Sequence, residues 1–190
     1  MRVAERLYEI RPNQEALANY VESMALLLGA LSLRCVRASA DKLAARLVEV
    51  SGSVASDEAL IHGWVALSRC EYVRHSAPSL REQLQLAEVG ARLLTSAGDS
   101  RTQIFAQTFF GQILAECGEQ DRGEQVLRAS LAAAIVLQES YSVVHAQLHL
   151  AAFLAAGTST AKNSEALRIV EQLLNGGALN PSFRSWALAI

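Results

Sequence analysis

A large apolar residue followed by a small residue recurs along this 190-residue chain at nearly constant intervals. The four pairs are Leu28-Gly29, Leu67-Ser68, Phe110-Gly111 and Leu150-Ala151. Three residues before each pair lie the markers Ala25, Trp64, Gln107 and Gln147, and Trp186 begins what reads as a fifth copy. Successive markers are 39, 43, 40 and 39 residues apart. A fixed period of this length is typical of helical solenoids, in which each helix pair buries its apolar face against its neighbours.

Helical periodicity runs through nearly the whole chain, and no segment shows sustained strand-like alternation. The clearest apolar stripe, at i, i+3, i+4, i+7, i+8 and i+11, is Ala106, Phe109, Phe110, Ile113, Leu114 and Cys117. Alanine and leucine, both strong helix formers, dominate the composition. We predict an all-α fold with helices over about 2–10, 13–36, 39–51, 57–75, 79–97, 101–117, 121–138, 141–156, 164–175 and from 181 onward.

The helix boundaries are predicted from residues that cap helices or end them. N-terminal caps are expected, three of them with capping-box spacing, at Asn13, Ser79, Ser100, Asp121 and Asn180. Helix ends are expected at Gly52, Gly98, Gly118, Gly157 and Gly176. Because the connections are short, successive helices should pack antiparallel.

Two copies of the repeat resemble a known family. Trp64-Val-Ala-Leu67-Ser68 is similar to the W-x-x-L-G/S start of the tetratricopeptide repeat. The third copy follows the family spacing through both helices, with Phe110-Gly111, Leu114, Gly118, Gly123 and Leu127. The resemblance extends over nearly the whole chain, and the period exceeds the usual length of about 34 residues, as in the long, ~40-residue variety found in bacterial signalling regulators. It implies a right-handed α-α superhelix of antiparallel hairpins, a single repeat domain over 1–190 with about four repeats and partial repeats at both ends.

The copies also depart from the family pattern. Copy one lacks the tryptophan, and copy two carries an insertion around His75–Ser79. In copy four a longer loop is predicted over Thr158–Asn163. The chain begins on what reads as the second helix of an earlier repeat, and it ends inside a helix with no polar capping helix. We therefore expect the natural protein to extend beyond one or both ends, with self-association through the end helices as a further possibility.

The resemblance implies a protein–protein interaction module or scaffold, as a regulatory segment of a bacterial signalling protein such as a kinase, a nucleotide-switch ATPase or a transcription regulator. The alternative is a sensor domain that closes on a peptide or small-molecule ligand. In the family, the first helices of the repeats line a concave face that holds the partner. Carried over by register, the partner-binding positions are His62, Val65, Arg69, Tyr72, Phe105, Thr108, Gln112, Glu116, His145 and Leu148.

Composition and charge limit the classes of partner and the cellular compartment that we expect for this chain. The formal net charge is −2 and no run of lysine and arginine exceeds two residues, so nucleic-acid binding by this segment is not expected. Residues 140–161 carry no formal charge and are long enough for a membrane span. Because the stretch contains two histidines and ends in Gly157 and a polar run, we predict a buried helix and a loop. A cytoplasmic protein that does not enter the membrane is the expectation.

No catalytic, cofactor or metal site is predicted. His145 and His149 share one helix face, but Ala146 occupies the position where a zinc protease needs glutamate, and a third ligand, such as His62, would have to come from another repeat. Cys35 and Cys117 each follow the glycine of their pair by six residues, which indicates packing rather than a reactive thiol. The three cysteines form no CxxC pair, as expected in a reducing compartment. We therefore predict that this segment is not an enzyme.

Overall fold

The computed structural model describes residues 14–33, 36–76, 79–176 and 179–190, which form α-helices and connecting turns without any strand. The helices are α1 (Gln14–Leu33), α2 (Arg37–Gly52), α3 (Ala59–Ser76), α4 (Leu80–Ser96), α5 (Ser100–Glu116), α6 (Gln120–Leu137), α7 (Ser140–Ala155), α8 (Thr160–Asn175) and α9 (Pro181–Ala187). The all-α prediction is confirmed. The predicted helix over 2–10, the cap at Asn13 and Cys35 lie outside the described residues.

Several helices begin or end at the capping residues and glycines that were predicted from the sequence. The Ser79 hydroxyl accepts a hydrogen bond from the Glu82 amide at 3.3 Å and begins α4. The Asn180 side chain accepts from the Phe183 amide at 2.9 Å, with Pro181 in the first turn of α9. Gly98 and Gly118 adopt positive φ angles of 82° and 93° in the turns after α4 and α5. Local sequence chemistry therefore decides where these helices begin and end.

Two of the predicted features are wrong, and a third is displaced. Asp121 does not cap α6, because the helix begins one residue earlier and Glu119 occupies the cap position without a side-chain hydrogen bond. The longer loop predicted over 158–163 is absent, since α8 begins at Thr160 and the Ser159 hydroxyl accepts from the Lys162 amide at 3.5 Å. The polar residues that suggested a loop form the first turn of α8, because polar side chains are favourable at the start of a helix. Ser100 is the first residue of α5, not the residue before it.

The chain divides into two compact units, residues 1–99 and 100–190. In the first unit α3 packs against α1, α2 and α4, and α1 also packs against α2. In the second unit α7 packs against α5, α6, α8 and α9, while α5 pairs with α6. In each unit, therefore, one helix contacts both its sequence neighbours and the helix two places before it.

Burial alternates along the chain in step with these contacts. Consecutive residues 63–68 of α3 are all buried, so that helix is enclosed on most of its circumference. In α4 burial is confined to one helical stripe, Gln83, Ala87, Gly90, Ala91 and Leu94. In the second unit, α5 and α7 are enclosed in the same way, and α6 and α8 each bury one stripe. Enclosed and one-sided helices thus alternate from α3 to α8.

The closest helix approach in the first unit is a reciprocal contact of glycine and leucine between α3 and α4. A Cβ placed on Gly63 would lie 2.6 Å from the Leu94 Cγ, and one placed on Gly90 would lie 2.6 Å from the Leu67 Cδ2. Each leucine therefore fills the space left by the glycine of the other helix. Leu67 belongs to a predicted packing pair, whereas neither glycine was singled out from the sequence.

The hairpin of α5 and α6 repeats this arrangement in the second unit. A Cβ on Gly111 would lie 3.0 Å from the Leu127 Cγ, and one on Gly123 would lie 2.9 Å from the Ala115 amide nitrogen. Gly111 is the small member of the third repeat pair, so the predicted close approach is confirmed there. On each helix of both hairpins, the glycine lies four residues before the leucine or alanine that contacts the other helix. The two residues therefore lie on the same face of their helix.

We expect Gly63→Ala to lower the free energy of unfolding by about 1–3 kcal/mol, because the added methyl group collides with Leu94 in a packed core. Gly52→Ala is the matched control: Gly52 lies at the end of α2 with no atom within 4 Å of the new methyl group. It should be neutral or stabilising by up to about 1 kcal/mol, because alanine has the higher helix propensity. Urea unfolding followed by circular dichroism measures both, and equal effects would contradict the close crossing.

Candidate functional site

Six aromatic rings from α5, α7 and α9 meet in the second unit and form what we call the aromatic cluster. Its members are Phe105, Tyr141, His145, His149, Phe183 and Trp186. Successive rings lie within the distances at which aromatic side chains attract one another. The aromatic cluster thus brings four aromatic side chains and two histidines into contact.

His145 is the centre of the aromatic cluster. Its ring stacks on Phe105 at a centroid distance of 5.0 Å and on Tyr141 at 6.0 Å, with interplanar angles of 23° and 10°. The Trp186 ring approaches it edge-on at 6.4 Å. The side chain is only 8% exposed, and burial lowers the pKa of His145 from 6.5 to about 4. The imidazole is therefore neutral at physiological pH.

The two histidines of α7 contact each other directly. Their Nε2 atoms lie 3.2 Å apart, and the Trp186 ring closes over His149 at 4.7 Å. A hydrogen bond between two Nε2 atoms requires one ring to carry its proton there and the other to accept with its lone pair. Protonation of both rings would place two donors and two positive charges face to face. The contact therefore requires at least one neutral ring, and burial keeps His145 neutral.

Helix caps position the rings of α7 and α9. Tyr141, His145 and His149 are four residues apart, so they project from one face of α7. Glu139 begins that helix by accepting from the amides of Tyr141 at 3.3 Å and Ser142 at 2.6 Å. Hydrogen bonds from Ser142 lower the pKa of the Glu139 carboxyl. Asn180 caps the start of α9 in the same way as Glu139 caps α7. Phe183 and Trp186 are three residues apart on α9, so both rings face α7.

The outer edge of the aromatic cluster reaches solvent. Tyr141 is 41% exposed, and the guanidinium carbon of Arg101 lies 5.4 Å from its ring centroid. Phe105, Phe183 and Trp186 are half-buried. The solvent-facing side of the cluster therefore consists of partly exposed rings next to the Arg101 guanidinium, with the two buried histidines beneath them. Such a surface can pack an apolar or aromatic side chain and accept an acidic group next to it.

The predicted partner-binding residues of the second unit fall into three groups. Phe105 and His145 meet in the aromatic cluster, and the Gln112 amide donates to the Glu116 carboxylate at 2.8 Å near the end of α5. Thr108 and Leu148 are completely buried. The Thr108 hydroxyl has no hydrogen-bond partner among the described residues. In this conformation those two side chains pack in the core.

In the first unit the predicted positions lie along α3. The Tyr72 hydroxyl donates to the Asp41 carboxylate at 2.7 Å, and Arg69 is exposed. Val65 is buried. The His62 ring contacts the Ser51 hydroxyl at 3.1 Å through Nδ1 and the Ala55 carbonyl at 2.9 Å through Nε2. Both ring nitrogens of His62 therefore contact the segment before α3, one at the end of α2 and the other in the turn that follows it.

Five members of this site were not among the predicted partner-binding residues: Arg101, Tyr141, His149, Phe183 and Trp186. Tyr141 could have been found, because it lies one helical turn before His145 and shares its face. Trp186 was recognised only as a repeat marker. Arg101 and Phe183 carry no local signal, since their roles depend on which helices pack together.

Neither of the two cysteines in the described ranges, Cys70 and Cys117, has the surroundings of a reactive thiolate. The buried Cys70 thiol donates to the Gln83 carbonyl at 3.2 Å, as a small core side chain does. Burial raises the pKa of the Cys117 thiol, with smaller contributions from Glu116 and Glu119, and a raised pKa disfavours the thiolate. Among the residues with described positions, no three His, Cys, Asp or Glu side chains are placed to hold a metal ion.

Comparison with known proteins gives no match. No protein-family model matches the sequence, and no curated protein or solved structure is significantly similar to it. The resemblance to tetratricopeptide repeats therefore rests on residues of this chain alone. Within the described ranges, no helix has the length and apolarity needed to cross a bilayer.

The buried histidine predicts a specific pH dependence of stability. The unfolded chain binds a proton at His145 with a pKa near 6.5, whereas the folded chain does so only near 4. Unfolding therefore takes up a proton in this interval, and the folded state should lose roughly 3 kcal/mol as the pH falls from about 6.5 to 4. Urea unfolding at a series of pH values measures this loss.

His145→Phe keeps an aromatic ring in the site and removes the titrating group. Its stability should fall less steeply than that of the wild type over the same interval. Carboxylates with lowered pKa, such as Glu124 and Glu165, are present in both proteins and cancel in the difference. Parallel curves for the two proteins would show that His145 does not cause the pH dependence.

Proposed function

We propose that this chain is a tetratricopeptide-like right-handed superhelix and acts as a protein-interaction module in a cytoplasmic regulatory protein of the bacterial signalling type. A kinase, a nucleotide-switch ATPase or a transcription regulator would be the rest of such a protein. Its partner is a protein or peptide segment, and the aromatic cluster is the principal contact surface in the second unit.

The packing within each unit supports the repeat architecture. In a solenoid of helix pairs, the first helix of each pair contacts its own partner and the first helix of the next pair. The same relation holds here for α1 with α3, for α5 with α7, and for α7 with α9. The alternation of enclosed and one-sided helices is what such stacking requires.

The aromatic cluster carries the functional proposal. By repeat register, α5, α7 and α9 are the first helices of the third, fourth and fifth copies, the helices that bear the partner-binding face in the family. Tyrosine, tryptophan and arginine are enriched among residues that dominate binding energy. Here Tyr141, Trp186 and Arg101 lie around one buried imidazole. Rigid rings lose little conformational entropy when a partner covers them.

The same face of α5 supplies polar groups beyond the rings. Phe105, Gln112 and Glu116 are separated by seven and four residues, and so project from one side of that helix. The Gln112 amide and the Glu116 carboxylate can exchange their mutual hydrogen bond for bonds to a partner. An extended segment or helix with one apolar anchor at the aromatic cluster, and polar groups about two to three turns away, fits this surface.

A selection from a random peptide-display library against the full chain tests this function. Phe105→Ala combined with Tyr141→Ala should reduce the affinity of selected peptides at least about tenfold, because ring contacts at binding centres contribute more than about 1 kcal/mol each. The matched control removes two exposed apolar side chains of α6 and α8, Ile135→Ala with Leu167→Ala. These positions lie outside the aromatic cluster, so the control should retain the affinity.

Circular dichroism and urea unfolding establish that both double variants remain folded. Equal affinity of the two variants for the selected peptides would refute the aromatic cluster as the binding surface. Failure to select any peptide that binds the wild-type chain more tightly than an unrelated helical protein would argue against the interaction module itself.

A further inference from the structure

A groove of about 550 Å³ lies between α1 and α2 in the first unit and takes no part in the proposed partner site. It is lined by Tyr20, Met24, Leu27, Leu31, Ser39, Lys42, Leu43 and Arg46. Its volume lies within the range of about 300–1,000 Å³ that is typical of binding pockets. We call this feature the α1–α2 groove.

The α1 side of the groove is an apolar stripe. Its residues Tyr20, Met24, Leu27 and Leu31 have the spacing i, i+4, i+7 and i+11, so they lie on one face over three helical turns. At a rise of about 1.5 Å per residue, this stripe is about 16 Å long. Tyr20 and Met24 are buried, while Leu27 and Leu31 keep part of their surface exposed, so the accessible apolar surface of this wall is at Leu27 and Leu31.

The α2 side of the groove is polar and positively charged. Ser39, Lys42 and Arg46 are exposed and recur every three to four residues, while Leu43 lies buried between them. Among the described residues that line the groove there are two cations and no carboxylate. The two walls therefore differ along their whole length, one apolar and the other cationic.

The charge of Arg46 is available to a ligand. Its guanidinium contacts the Glu49 carboxylate at 2.8 Å, but these side chains are 49% and 70% exposed. An exposed pair of this kind contributes little to stability and exchanges readily. Hydrogen bonds with Glu49 and Tyr20 raise the pKa of Arg46, so it stays charged, and a guanidinium has five N–H donors to share.

We propose that the α1–α2 groove docks an amphipathic helix whose apolar stripe lies along α1 and whose acidic edge faces Lys42 and Arg46. A helix that binds in a groove uses anchors at i, i+3, i+4 and i+7, and the two walls offer it side chains that recur every three to four residues. The cations are placed along one side and not at one end. A fatty acid, with a single terminal carboxylate, would meet only one of them, whereas a helix with glutamates one turn apart meets both.

This inference is independent of the aromatic cluster, because the groove lies in the other unit and shares no residue with it. The probes are two fluorescently labelled synthetic helical peptides of about 15 residues, long enough for three to four turns. Both carry leucines at i, i+4, i+7 and i+11. One has glutamates along one edge of that stripe, and the other has lysines at the same positions.

Fluorescence anisotropy with the full chain should show that the glutamate peptide binds at least about tenfold more tightly than the lysine peptide. Lys42→Glu combined with Arg46→Glu should reverse this preference. The matched control, Arg81→Glu with Arg92→Glu, makes the same charge change at two exposed arginines of α4 in the same unit. It should leave the preference for the glutamate peptide in place, and circular dichroism verifies that both variants are folded.

Three results would overturn the proposal. The first is equal binding of the two peptides, or an unchanged preference in the Lys42→Glu, Arg46→Glu variant. The second is saturable binding of palmitate, sensitive to that variant, in a chain that binds neither peptide, since this would assign the groove to a fatty acid. The third is a dimer that the same variant dissociates while peptide binding is absent, which would assign the groove to a second copy of the chain.

Discussion

The reciprocal contact between glycine and a larger side chain is the constraint on which both units depend. Gly63 and Gly90 admit Leu94 and Leu67, and Gly111 admits Leu127 in the same manner. Because interiors are close-packed, helices this near each other share one continuous core, and a third helix can pack against the pair. That third helix is α1 beside α3 in the first unit and α7 beside α5 in the second.

The burial of α3, α5 and α7 on most of their circumference determines where polar and charged side chains can lie on each helix. Buried polar groups on an enclosed helix are favoured by partners inside the protein, as the Cys70 thiol has at the Gln83 carbonyl, whereas the Thr108 hydroxyl has none among the described residues. The one-sided helices keep their charges at the surface: the Arg128 side chain bridges Glu124 and Glu165 between α6 and α8. The half-exposed rings of the aromatic cluster lie at the edges of the enclosed helices α5 and α7.

The two candidate surfaces differ in chemistry. The aromatic cluster presents half-exposed rings around a neutral histidine, and its attraction for a partner comes from apolar area and from a single cation at Arg101. The α1–α2 groove joins an aliphatic wall to Lys42 and Arg46, so its proposed selectivity rests on charge as well as on shape. Under the two proposals, one chain of modest net charge would bind two dissimilar segments, one in each unit.

The sequence by itself determined the helices and most of their limits, because periodic apolar residues, Gly98, Gly118 and the Asn180 cap act within one or two turns of chain. It also marked Phe105 and His145 through the repeat register. Only the tertiary structure decided that Gly63 faces Leu94, or that Trp186 closes over His149. It also decided that burial keeps His145 neutral. These properties arise between residues that are distant in the chain, and their energies depend on which helix faces meet, which no local pattern encodes.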